Sequence, residues 1–218
     1  ELGGNCRVLT IDYRVAPEHP YPAALEDTIA AYHWLLEQGY PAEKIVVAGD
    51  SAGGGLALAL CLWLKNHKEP LPSGVIAMSP WTDLTISGES VETNFEKDPL
   101  FGKTRDSMLY NKDYLGDNDP TNEYISPLFG DYEGFPPLLI QVGSYEMLLS
   151  DSTRVAKKAK EAGGKVKLSI YEGMFHVFQM AMLLMPESKK AWAEIKRFLH
   201  YLDTEENEMQ NISKEEKA

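Results

Sequence analysis

The stretch "KIVVAGDSAGGGLALAL", residues 44–60, constrains the fold more than any other part of the chain. A β-branched run meets a small-residue run that becomes helical. One serine, Ser51, stands at the corner, with Gly49 and Gly53 two places to either side. A G-x-S-x-G pattern alone is a weak signal, because small residues line many tight turns. Between a strand and an apolar helix it is specific: only residues without a Cβ let the neighbouring backbones pass so closely. Such a turn lifts a hydroxyl clear of the sheet at a helix N-terminus, where the N–H of Ala52 can point at a developing oxyanion. The rival reading, a phosphate-binding glycine loop, fails on residues. No Lys-Ser/Thr follows the glycines, and no G-x-G-x-x-G can be read.

The rest of the chain alternates in the same way. Strands are expected at 6–13, 44–49, 73–79, 136–143 and 165–173. Helices are expected at 22–38, 52–66, 150–164 and 186–202, with the helix at 52–66 apolar nearly all round. Short apolar strands alternating with helices imply an α/β fold with a mostly parallel sheet covered on both faces. Residues 1–205 read as one domain and 206–218 as a charged, frayed tail. "ELGG" at the start resembles the last turn of a helix. Residues 80–135 break the rhythm. They are rich in Asp, Asn, Gly and Pro, with a helical piece at 104–116. An insertion at the carboxyl end of a central strand is where such sheets place binding elements, although a plain surface excursion would read the same way.

Composition excludes several classes. The formal net charge of -12 gives no electrostatic footprint for nucleic acid. No apolar run approaches the roughly 20 residues of a membrane span. The two cysteines, Cys6 and Cys61, make no disulfide framework and fit a cytoplasmic location. Both are expected to act as small core hydrophobes. No H-E-x-x-H and no His/Cys cluster with ligand spacing occurs, so neither metal nor cofactor is expected.

A serine at such a corner needs a base and an acid, and on this scaffold they follow it in the order Ser, acid, His. His176, in "EGMFHVFQ", lies after the last strand and before the final helix, at the same sheet edge as Ser51. The other histidines sit in helices, at a helix end or in a proline-rich turn. Glu146 stands just past the strand at 136–143 and is the expected acid. Asp151 is the alternative, better suited to capping the next helix. Asp83 is a distant third, more suited to ordering the start of the insertion.

Four motifs, "DYRVAPEHPYPAALED" (12–27), "GDSAGG" (49–54), "SPWTDL" (79–84) and "GMFHVF" (173–178), carry a resemblance over residues 6–202. The chain resembles the hormone-sensitive-lipase-like family of α/β-hydrolase carboxylesterases. That resemblance implies an α/β-hydrolase fold, Ser51 as nucleophile and His176 as base. The family's usual acid is the Asp of a Y/F-D-P-L motif, and Glu146 of "YEML" stands in its place. Members carry a cap segment, early strands and a His-Gly-Gly-Gly motif before the "DYRVAPE" strand, and these are absent from this sequence. Loss of one oxyanion donor costs about 100- to 1,000-fold in turnover. By the family's strand order, a strand is also missing between 6–13 and 44–49. Either those two strands close together or a gap remains between them.

The expected function is a serine carboxylesterase hydrolysing small carboxylic esters through an acyl-enzyme on Ser51. Within hydrolases the rival is an arylformamidase or small amidase, which the same triad serves. From another class, the rival is an incomplete fragment or binding protein on a hydrolase scaffold. The expected partner is a small-molecule ester, with a homodimer allowed.

Overall fold

The structure, a computed structural model, describes residues 6–102 and 111–215. Four strands form one parallel sheet: β1 (Val46–Asp50), β2 (Gly74–Met78), β3 (Leu138–Gly143) and β4 (Val166–Tyr171), in the spatial order β1-β2-β3-β4. The helices are α1 (Ala23–Glu37), α2 (Ala52–Asn66), α3 (Ser90–Thr93), α4 (Lys112–Leu115), α5 (Leu149–Glu161) and α6 (Pro186–Glu215). The expected helix end at 1–4 and most of the helical piece at 104–116 lie outside the described residues; the remainder of that piece contains α4. The closing helix runs on to Glu215, well past the expected end near 202.

Side-chain alternation along the strands explains the two covered faces. Val75, Ala77, Leu138 and Ile140 point to one face, where Leu58 and Leu62 of α2 and Val155 and Ala159 of α5 meet them. Ile76 and Leu139 point to the other, against Ile195, Phe198 and Leu202 of α6. α1 packs outside α2 through a smaller cluster that includes Tyr32, Leu60 and Leu64. Parallel pairing puts every strand's carboxyl end on the same edge. The turns after β1, β3 and β4 therefore open side by side.

The expected strand at 6–13 does not form. Residues 6–15 have no regular structure, and Val8 is 73% exposed. Strand propensity needs a ladder to act through, and among the described residues no strand pairs with this segment. It does not close onto β1, whose one partner among the described residues is β2. Cys6 is accordingly exposed, against the expectation of a core position, while Cys61 is fully buried. The segment is fastened instead by Arg14. Its backbone N–H donates to Asp27 Oδ2 at 2.8 Å, and its guanidinium grips the same carboxylate, with the shortest contact at 2.7 Å to Oδ1. This contact ties the two ends of the "DYRVAPEHPYPAALED" stretch together.

The two kinds of apolar residue should respond differently to truncation. Leu139→Ala, inside the sheet, is expected to cost about 2–5 kcal/mol in urea unfolding. Val8→Ser is expected to stay within about 0.5 kcal/mol of the parent. A large loss at Val8 would mean that 6–13 is packed as a strand after all.

Candidate active site

Ser51 has φ 53° and ψ -122°, a conformation that L-residues rarely adopt and that costs about 1–3 kcal/mol. Hydrogen bonds at both ends of the residue hold it there. Its N–H donates to Met78 O at 2.9 Å, and its carbonyl accepts from Trp81 N–H at 2.9 Å and from Gly55 N–H at 3.1 Å. Close contact requires glycine at 49 and 55 but not at 53, where a Cβ would come no nearer than 3.9 Å to Tyr13 Oη. A Cβ on Gly49 would strike the carbonyl of Gly53, and one on Gly55 would strike that of Trp81. Ala52 opens α2 and is exposed. The first turn of a helix leaves its N–H groups without intrahelical acceptors, so this end presents positive charge density next to the serine.

Three side chains from three loops meet at this corner. His176 Nε2 lies 2.9 Å from Ser51 Oγ, and His176 Nδ1 lies 3.0 Å from Glu146 Oε2. Glu146 is fully buried and His176 is 6% exposed. The second oxygen of Glu146 accepts from Gly143 N–H at 2.5 Å and from the Ser79 hydroxyl at 2.7 Å. A buried carboxylate needs such donors to stay charged. With Nδ1–H directed at the carboxylate, Nε2 is left as an acceptor facing the serine proton. That geometry can draw a proton from Ser51 as its oxygen attacks an electrophilic carbon. The Phe101 ring packs against the imidazole, with 4.5 Å between the ring centres.

Of the alternative acids, neither reaches His176. Asp151 sits in the first turn of α5 but caps nothing on its own helix. Its carboxylate accepts from the backbone N–H groups of Thr82, at 2.7 Å, and Asp83, at 2.9 Å. Asp83 takes the hydroxyls of Thr85 and Ser87 and an ion pair with Arg154 at 2.8 Å. These two acids knot the chain just after β2 to α5. Burial pushes the Asp151 carboxyl up to about 7, Thr82 N–H opposes it, and the like charge of Asp83 adds to the rise. Burial would raise Asp83 as well, but Ser87, Thr85 and Arg154 hold it below the usual carboxylate range.

Part of the site was not anticipated from the sequence. The insertion braces the acid loop: Asn94 Nδ2 donates to the carbonyls of Ser144 and Glu146, and Asp98 accepts from Met147 N–H at 2.9 Å. It also walls a cavity of about 230 Å³ beside Ala52, where Leu56, Trp81, Leu84, Tyr114 and Ile125 present mostly apolar surface. Only its position after a central strand hinted at this. Ser79, in the quoted "SPWTDL", carried no sign of its contact with Glu146.

A family model described as the α/β hydrolase fold matches residues 3–180. The chain belongs to the α/β hydrolases. Among relatives of this chain, an esterase of Acinetobacter venetianus is 45% identical over 198 residues. An acetyl-hydrolase of Streptomyces hygroscopicus is 42% identical over 184. These alignments cover 90% and 84% of this chain but 65% and 61% of the relatives. The crystal structure of an esterase from the bacterial hormone-sensitive lipase family superposes with a TM-score of 0.84 at 44% identity, over 88% of this chain and 64% of that one. The resemblance read from the four motifs therefore holds. The chain spans just under two thirds of the length of these relatives.

The Asp83–Asp151 knot makes a pH-dependent prediction. The folded-state value of Asp151, about 7, lies above its ordinary 3.8. Across that window the folded chain keeps a proton that the unfolded chain has released, so the contribution to stability falls as pH rises. Asp151→Asn keeps an acceptor for both N–H groups and removes the titration. Its Tm relative to the parent should rise by roughly 6–12 °C between pH 4.5 and pH 8. A constant difference across that range would mean that Asp151 is ionised throughout.

Proposed function

We propose that this chain carries the catalytic centre of a serine carboxylesterase acting on small carboxylic esters. One observation carries the reading: the unbroken hydrogen-bonded line from Ser51 Oγ through His176 to Glu146, at 2.9 and 3.0 Å. Ser51 Oγ attacks the ester carbonyl carbon while His176 Nε2 takes its proton. The carbonyl electrons move onto oxygen, which faces the N–H of Ala52 at the start of α2. When the oxyanion collapses, the bond to the alcohol oxygen breaks and that oxygen takes the proton from Nε2. Water then attacks the acyl group on Ser51, gives its proton to Nε2 and releases the acid, and the serine recovers its proton. Glu146 stays ionised throughout, fixing the tautomer and stabilising the imidazolium. The mostly apolar cavity beside Ala52 favours small uncharged groups on the ester. Among the described residues no helix is long and apolar enough to cross a membrane. The free cysteines agree with a cytoplasmic setting.

Two assays test this. In p-nitrophenyl acetate and butyrate hydrolysis, Ser51→Ala should lose at least about 1,000-fold in kcat/KM and Glu146→Gln about 100- to 10,000-fold. Separately, an organophosphonate should label the folded chain on Ser51, which needs the nucleophile and base but not turnover. A folded chain that neither hydrolyses these esters nor takes the label would overturn the reading in favour of a non-catalytic scaffold.

A further inference from the structure

Ser79 follows the last residue of β2, is fully buried, and has φ 48°. Its N–H donates to Gln141 O at 2.7 Å, which carries the pairing with β3 one residue further. Its hydroxyl lies between two partners, 2.7 Å from Glu146 Oε1 and 3.1 Å from Val177 N. A backbone N–H can only donate. The hydroxyl oxygen must therefore accept from Val177, and its one proton must go to the carboxylate. Val177 is the residue next to His176. A single hydroxyl thus touches the acid and the peptide that carries the base. Its neighbour Met78 accepts the N–H of Ser51. All three loops of the triad are referenced to these two residues.

We propose that Ser79 is a positioning residue for the Glu146–His176 pair. Its proton fixes Glu146 Oε1 so that Oε2 is the oxygen facing Nδ1, and its dipole, positive end toward the carboxylate, moderates the negative potential felt by the imidazole. The proposal rests on the triad reading above. Glu146 is the acid bonded to His176. The next acid out is Asp98, whose carboxylate accepts from the N–H groups of Met147, Leu100 and Phe101. Both are left in place by substitution at residue 79. Removing the hydroxyl strips one donor from the carboxylate and one acceptor from Val177, leaving Gly143 N–H on Oε1. The pocket around His176 becomes more negative, the imidazolium is favoured, and the imidazole titrates at higher pH.

The test compares Ser79→Ala with Ser79→Gly. Both lack the hydroxyl, but glycine adopts φ 48° without strain. Two readouts are followed: NMR titration of the His176 ring, and the pH dependence of Ser51 labelling by a p-nitrophenyl phosphonate. Both variants should raise the titration midpoint of His176 by about 0.5 pH and slow labelling about tenfold, the scale of one hydrogen bond to a charged group. Folded variants in which His176 titrates as in the parent would overturn the proposal. So would a normal Ser79→Gly beside an impaired Ser79→Ala, since backbone strain would then be the cause. If Ser79→Ala does not fold, the glycine variant decides alone. A parent that fails to label would count against the esterase reading, while the His176 titration, which needs no activity, still decides the role of Ser79.

Discussion

The site depends on the bonds that hold Ser51 in a conformation it would not choose. Left to itself, a serine at φ 53° relaxes toward the ordinary β or α regions. Here Met78 fixes its N–H, and Trp81 and Gly55 fix its carbonyl. Relaxation would break bonds at both ends together. The strained turn is therefore a property of β2 as much as of the sequence around the serine. It persists because the strands on which it hangs are packed from both faces by α2, α5 and α6.

The same logic governs the acid. An ionised carboxylate with no solvent contact is stable only when its oxygens are occupied by donors. Glu146 has Gly143 N–H, the Ser79 hydroxyl and the His176 ring. Outside these lies a further layer from the insertion, with Asn94 and Asp98 holding the backbone of the acid loop. Glutamate in place of the family's usual aspartate has a longer reach, and the clamp on both of its oxygens removes the freedom that the extra methylene would bring.

Much of this was legible in the sequence, for identifiable reasons. Ser51, His176 and Glu146 could be placed because each follows a segment with strand character, and parallel strands end on one edge. The hydrogen-bonded line through all three matches that placement. The segment 6–13 misled because its residues favour a strand, while a strand also requires a neighbour, and no single segment records whether one is present. Cys6 failed with it. Asp151 was expected to cap α5 and instead binds Thr82 and Asp83, a role invisible in the sequence because that contact joins residues 69 and 68 positions apart. Ser79 was hidden for the same reason. A buried serine's partners are set by tertiary approach, and nothing in "MSPW" records them.

The lateral order of the sheet has a dynamic consequence. β3 is paired on both sides and buried along its whole length. β1 has only β2 beside it among the described residues, and Ala48 and Asp50 are exposed. Backbone amides on an open edge exchange with solvent through small local openings, whereas those of a central strand wait for global unfolding. Glu146 follows the best protected strand, whereas Ser51 and His176 follow the two edge strands of the described sheet, β1 and β4. The hydrogen-bonded line therefore runs from the central strand outward to both edges of the described sheet.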